Sequence, residues 1–119
     1  MRDFTLRIVK MTAHLPQSES SRVLSDQILK AIASAGTNYS GACRSTSKRD
    51  FINKLKIVEE DINTTIFWIE LIEEYGLIKS EKLVSLKEEN HELIAIVSSS
   101  LKTSREELKT TILRNKKTA

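Results

Sequence analysis

The sequence predicts an all-α protein, folded as an antiparallel up-and-down four-helix bundle. Its 119 residues contain one proline and three glycines, and the stretches 46–75 and 77–117 contain neither. Both stretches are expected to be long helices, because proline and glycine are the residues that most often interrupt regular structure. Apolar residues recur every three or four positions, which is the helical period, and the alternation typical of strands is missing from the sequence. Short connections then favour antiparallel neighbours.

The first half of the chain predicts two helices. Residues 3–15 form the first, and Pro16 ends it because the residue before a proline disfavours helical dihedral angles. The second begins among the serines at 18–21, which are good N-caps. Gly36 lies inside this helix and bends it at most, and residues 44–46 form the next turn. The expected core stripe of the second helix is Leu24, Ile28, Ala31, Ile32, Ala35 and Tyr39.

The second half of the chain predicts two longer helices. Ser47 and Asp50 have the spacing of a capping box, and Gly76 suits the left-handed residue that ends a helix. Between them the expected core stripe is Phe51, Leu55, Val58, Ile62, Thr65, Ile69 and Ile72. The fourth helix starts at Ser80, and its seam comprises Leu83, Leu86, Asn90, Leu93, Val97 and Leu101. We expect one domain over residues 1–113 and a frayed basic tail over residues 114–119.

The net charge of +3 conceals three blocks of opposite sign. Residues 1–58 carry ten Lys or Arg against four Asp or Glu, residues 59–97 carry three against ten, and residues 98–119 carry six against two. Such segregation fits either nucleic-acid binding or self-association through complementary surfaces, and it also fits ordinary solvated helix faces. The sequence contains no apolar run of signal-peptide or membrane-spanning length, so a cytoplasmic protein of bacterial type is expected.

A set of residues from the second helix to the end of the third matches a known pattern. Its members are Ser34, Asn38, Tyr39, Ser47-Lys48-Arg49-Asp50-Phe51, Leu55 and Tyr75-Gly76-Leu77-Ile78, with support from residues 4–10 and Gln27-Ile28. On these residues the chain resembles the bacterial four helix bundle protein family, found in intervening sequences of 23S rRNA genes. That family is similar to the accessory variability protein of diversity-generating retroelements. The chain departs from the pattern at Gly41-Ala42, Cys43 and Asp50, where Glu-Gly, an aromatic residue and glutamate are usual.

The resemblance covers roughly the first 101 residues and implies a four-helix protomer that assembles as a homopentameric ring. It also implies partners such as RNA or DNA, or a reverse transcriptase or other nucleoprotein. The third helix is compatible with assembly, because Ile52, Trp68 and Leu71 exceed the apolar surface that one bundle face needs. These three residues are the predicted oligomer interface.

Basic residues cluster around the predicted turn between the second and third helices, and they are the candidate nucleic-acid contacts. Phosphate binding needs cations and the amides of a helix N-terminus, and the start of the third helix offers both. The candidate residues are Arg7, Lys10, Arg44, Lys48, Arg49, Lys54 and Lys56. The alternative is a structural or protein-interaction module that binds no nucleic acid.

Other chemistry finds little support in the sequence. Glu88 and His91 have the Glu-x-x-His spacing of dimetal bundles, but no second pair accompanies them. Cys43 lacks a histidine base that the pattern would place beside it, and the acidic run 59–61 points in several directions around its helix. We therefore expect no enzyme, metal, cofactor or membrane partner. Asn90 is the polar residue of the fourth seam, where it could fix register or oligomeric state or join a local network.

Overall fold

A computed structural model describes the backbone of residues 1–118 and the side chains of residues 1–117. It contains four helices: α1 (Arg2–Ala13), α2 (Glu19–Cys43), α3 (Lys48–Tyr75) and α4 (Ser80–Thr118). Helix α1 packs against α2 and α4, and α3 packs against the same two helices. Diagonal pairs make no direct backbone approach among the described residues. This arrangement confirms the predicted all-α, up-and-down four-helix bundle.

The helix ends follow the local chemistry of the sequence. Ser18 and Ser47 cap α2 and α3, because their side-chain oxygens accept hydrogen bonds from the backbone N–H groups of Ser21 and Asp50, each at 3.1 Å. Gly76 ends α3 with φ +82°, in the left-handed region that costs glycine nothing, and its N–H donates to carbonyls of the last turn. The predicted starts and turns are therefore confirmed, although α1 ends two residues earlier than expected.

The core forms where the four apolar stripes meet. Phe4, Ile8, Ile28, Ile62 and Leu101 are fully buried within it, one or two from each helix. Tyr39 was predicted to join this core, but 38% of its surface is exposed. It lies level with Met1 and Arg2, where α1 begins and no further turn of that helix covers the ring. The core stripe of α2 continues instead at Ala42.

Asn90 is fully buried between α4 and α3. Its amide nitrogen donates to the carbonyl oxygen of Ile62 at 3.3 Å, and its own carbonyl oxygen has no protein partner among the described residues. The asparagine therefore contributes to the pairing of α3 with α4 inside one protomer. Its buried carbonyl oxygen, without a protein partner, costs stability.

Helix α4 is longer than the sequence predicted. It continues to Thr118, so residues 114–118 are helical and the expectation of a frayed tail is wrong for them; Ala119 lies outside the described residues. Residues 102–117 contain no glycine or proline, and Lys116 and Lys117 interact favourably with the negative end of the helix dipole. The molecule is consequently a rod with extents of 63 × 21 × 20 Å.

Candidate nucleic-acid interface

The turn between α2 and α3 presents three of the predicted cations within six residues. Helix α2 ends at Arg44, and the hydroxyl of Ser45 donates to the carbonyl oxygen of Gly41 at 3.2 Å, which fixes the path of the turn. Lys48 and Arg49 then occupy the first turn of α3. Cationic side chains and the free amides of a helix N-terminus therefore share one surface, which is the arrangement that phosphate contacts require.

Two of the cations in this region are held by carboxylates. Lys54 donates to Asp50 at 2.7 Å, and its aliphatic chain lies across α2 at Gly41, where an added Cβ would come within 3.2 Å of it. The bond from Lys54, with the nearby hydroxyl of Ser45, holds the pKa of the Asp50 carboxyl below its ordinary value near 3.8. Lys48 forms an ion pair with Glu107 of α4. Both lysines remain over a third exposed.

The other cations of the region keep their charge available. Arg44 donates to the neutral hydroxyl of Ser40 at 2.7 Å, and it forms no ion pair with a carboxylate among residues 1–117. Arg49 and Lys56 are exposed and form no ion pair with any residue that the structure describes. They lie seven residues apart, two turns along the outer side of α3. Arg44, Arg49 and Lys56 are thus the predicted contacts best placed to meet a phosphate.

Arg7 and Lys10 lie elsewhere. The guanidinium of Arg7 forms an ion pair with Glu89 and donates to Ser85 at 3.0 Å, both on α4. Since Lys48 pairs with Glu107 on the same helix, the two ion pairs are eighteen residues apart, or about 27 Å at the rise of an α-helix. Lys10 lies one turn further from the α2–α3 turn. The structure therefore does not join these two residues to the others.

Helix α4 adds cations that the sequence did not associate with the α2–α3 turn. Ser104 lines a surface cavity together with residues 45–48 of the turn, and Lys102, Arg105 and Lys109 are exposed on either side of Ser104. Residues 44–56 and 100–117 together carry eleven Lys or Arg against three Asp or Glu. We call this region the basic end of the rod. The charge of residues 98–119 was the available signal, but the sequence alone does not indicate that this part of α4 lies beside the turn.

The predicted oligomer interface is partly corrected by the structure. Ile52 is only 8% exposed and belongs to the core of the protomer, because the buried stripe of α3 begins at Ile52 and Phe51 is only half-buried. Trp68 and Leu71 are half-buried at the edge of the core. The ring of Phe67, half of whose surface is exposed, lies tilted by 59° against that of Trp68 at a centroid distance of 4.9 Å. Ile52 is therefore unavailable to a second copy.

Metal-ligating side chains form no cluster in the described part of the chain. No three histidine, cysteine or carboxylate side chains converge among residues 1–117 in a way that could hold a metal ion. Cys43 is exposed and reduced. The helices of the described residues also include none that is long and apolar enough to cross a bilayer.

Comparison with known proteins agrees with this architecture. A solved structure at 1.70 Å of a protein of unknown function from the S23 ribosomal protein family of Bacteroides thetaiotaomicron is 33% identical to the chain. The match covers 84% of this chain and 93% of that one, with a TM-score of 0.78. No curated protein matches the sequence. The family model described as 23S rRNA-intervening sequence protein matches residues 1–99. With the bundle and the pattern around the α2–α3 turn, these matches show that the chain belongs to the 23S rRNA-intervening sequence protein family.

Proposed function

We propose that this protein is a non-enzymatic homo-oligomer, a pentameric ring in the arrangement that the family resemblance suggests, which binds nucleic acid or a nucleoprotein partner. The observation that carries the proposal is the basic end of the rod, which contains eleven Lys or Arg and three Asp or Glu. The ligand would meet it in the cytoplasm. The name of the family, which refers to an intervening sequence of ribosomal RNA, is consistent with a polyanionic partner.

Binding would be directed at the phosphate backbone rather than at bases. Arg44, Arg49 and Lys56 supply charge without an internal carboxylate partner, and the first amides of α3 lie beside them. Only 5% of the residues are aromatic, so the protein has few rings on which unpaired bases could stack. Affinity of this kind depends strongly on salt, because each neutralised phosphate releases counterions.

Oligomerisation would multiply this weak contact. Ile57, Trp68, Leu71 and Tyr75 recur on one side of α3, and Ile57 and Tyr75 are exposed apolar side chains. A ring that buries this side would place several basic ends on one assembly, so that their contacts with a long polyanion add.

The decisive experiment is a polarisation titration of labelled RNA and DNA at 50 and 200 mM salt. In an Arg44→Gln/Arg49→Gln variant, two lost phosphate contacts would reduce the slope of log affinity against log salt by about 1.8. The wild type should then lose roughly 12-fold more affinity than the variant between these two salt concentrations. Lys79→Gln/Lys82→Gln removes the same charge at the opposite end of the rod and is the matched control.

The outcomes separate the parts of the proposal. Absence of binding by the wild type at 50 mM salt would refute nucleic-acid binding. An equal loss in the Lys79/Lys82 control would show that net charge, not the basic end, governs affinity. Oligomerisation is tested by light scattering, since five 13.5 kDa chains have a mass of about 68 kDa. A 13.5 kDa particle at micromolar concentration would refute it.

The alternative is a structural module whose charges serve assembly alone. It is favoured by the ion pairs that occupy Arg7, Lys48 and Lys54 inside the protomer, and by the acidic block that could meet the basic end of a second copy. Self-association that weakens with salt, without any binding of RNA or DNA, would support this alternative.

A further inference from the structure

Helix α4 projects beyond the rest of the bundle. Glu107 lies level with Lys48, the first residue of α3, because the two side chains form an ion pair. Helix α4 then continues for eleven more residues to Thr118, or about 16 Å. We call residues 108–118 the arm. The match to the family model ends at residue 99, so the arm lies outside the region by which the chain was assigned to its family.

The arm is cationic, and its charge is regularly spaced. No acidic residue follows Glu107, whereas four basic residues do. Lys102, Lys109 and Lys116 are seven residues apart and therefore lie on one side of α4, with about 10 Å between successive members. All three are exposed, and none forms an ion pair with a residue that the structure describes. They make up a lysine row about 21 Å long that begins in the bundle and ends on the arm.

A cationic helix free on several sides suits a nucleic-acid duplex better than a second protein chain. The arm carries three large apolar side chains. Leu108 packs against the core, Ile112 is half-buried, and Leu113 is exposed over 53% of its surface, so a second chain would meet one exposed large apolar side chain among residues 108–117. An α-helix with its side chains is about 10–12 Å across, close to the width of the major groove of B-form DNA. Regularly spaced lysines supply the charge that phosphates on either side of such a groove would need.

We propose that the arm is a second nucleic-acid contact, in which the lysine row binds the phosphate backbone of a duplex that also meets Arg44 and Arg49. The inference rests on the proposed function. It adds to that function a specific helix, a preference for duplexes over single strands, and a contact outside the family-matched region. Because the arm starts level with the α2–α3 turn, the lysine row and the two arginines lie at the same end of the rod.

The test uses the full chain with Lys102, Lys109 and Lys116 each changed to glutamine, which keeps a good helix former at every position. The control changes Lys30, Lys79 and Lys82 to glutamine, which removes the same charge from exposed sites away from the row. Polarisation titrations with duplex DNA, duplex RNA and a single strand are run at 50 and 200 mM salt. Circular dichroism at 222 nm confirms that each variant remains folded.

Three phosphate contacts correspond to a salt slope of about 2.7, so raising the salt should cost the wild type roughly 40-fold more duplex affinity than the row variant. The control should behave as the wild type. A loss confined to DNA indicates insertion in the major groove, and an equal loss on both duplexes indicates contact with the backbone from outside; both outcomes support the arm.

Three results would overturn the proposal. The row variant could keep the wild-type slope of log affinity against log salt while the Arg44→Gln/Arg49→Gln variant shows a reduced slope. In that case the arm is not a contact, but the proposed function stands. If the wild type binds no nucleic acid, the arm contact and the proposed function are both refuted. If the row variant changes the mass measured by light scattering and leaves duplex binding intact, a second copy covers the arm.

Discussion

Gly76 and Gly36 should respond to alanine with opposite signs, because Gly76 caps the end of α3 whereas Gly36 lies inside α2. Gly76 has φ +82°, and a Cβ placed there would meet no atom within 4 Å. The cost of Gly76→Ala is therefore the backbone strain of a left-handed L-residue, roughly 1–2 kcal/mol, with no steric clash added. Gly36 lies inside α2 with ordinary helical dihedrals, and its added Cβ would rest 3.4 Å from the hydroxyl of Thr5, an ordinary contact. Gly36→Ala should stabilise the protein by roughly 0.5–1 kcal/mol.

For a domain of this size, about 1 kcal/mol shifts the melting temperature by roughly 4 °C. Gly76→Ala should thus melt roughly 4–8 °C below the wild type, and Gly36→Ala roughly 2–4 °C above it. Thermal unfolding followed at 222 nm measures both, at one protein concentration because assembly makes the melting temperature concentration-dependent.

Gly76→Asn is the matched control, since asparagine tolerates the left-handed region better than alanine and should lose less stability. If Gly36→Ala were the more damaging change, the close approach of α1 to α2, rather than backbone conformation, would determine which glycines matter. That result would refute the reasoning.

Three further predictions concern charge, burial and assembly. Lys87 donates to both carboxylate oxygens of Glu73, at 2.8 and 3.0 Å, which together with Ser80 holds the pKa of that carboxyl below its ordinary value near 4.5. The Glu73 carboxylate thus binds a proton more weakly in the folded state than in the unfolded state. The stabilisation that its bond to Lys87 provides is present above the ordinary pKa and is lost as the pH falls through the folded-state pKa. Glu73→Gln should lower the urea midpoint at neutral pH, and the difference from wild type should vanish as the pH falls from about 6 toward about 3; a constant difference would contradict this. Asn90→Leu removes a buried oxygen that has no protein partner, so it should raise the free energy of unfolding by about 1 kcal/mol in urea titrations, and a lower midpoint would show that packing outweighs the polar cost. Leu71→Asp should dissociate the proposed oligomer, with a red shift in the emission of Trp68, the single tryptophan of the chain; unchanged mass and emission would place the interface elsewhere.

The caps and breakers of the sequence predicted the helices because they act locally. Ser18, Ser47 and Gly76 each set a helix boundary through hydrogen bonds to residues within about five positions. The local sequence is therefore enough to predict these boundaries. The one large boundary error, at the end of α4, came from weighing thin apolar patterning more heavily than the helix propensity of a segment without glycine or proline.

The candidate site was harder to predict because it depends on which side chains meet across helices. The ion pair between Arg7 and Glu89 joins residues 82 positions apart, and periodicity says nothing about which faces of α1 and α4 oppose each other. Ile52 and Phe51 are neighbours on the helix, so a rotation of a fraction of a turn decided which of them entered the core. The ion pair between Lys48 and Glu107 sets the level of α4 against α3, and this level brings the cations of α4 to the basic end.

The length of the rod gives its charge separation a further meaning. Lys48 and Glu73 lie twenty-five residues apart on α3, or about 37 Å, whereas electrostatic interactions in physiological salt decay over about 8 Å. A polyanion at one tip therefore experiences the positive potential there and almost none of the repulsion from the carboxylates beyond. At about 0.01 M salt the decay length grows to about 30 Å, and the acidic half begins to oppose the approach. The two tips of the rod are thus electrically independent in physiological salt and coupled in dilute buffer.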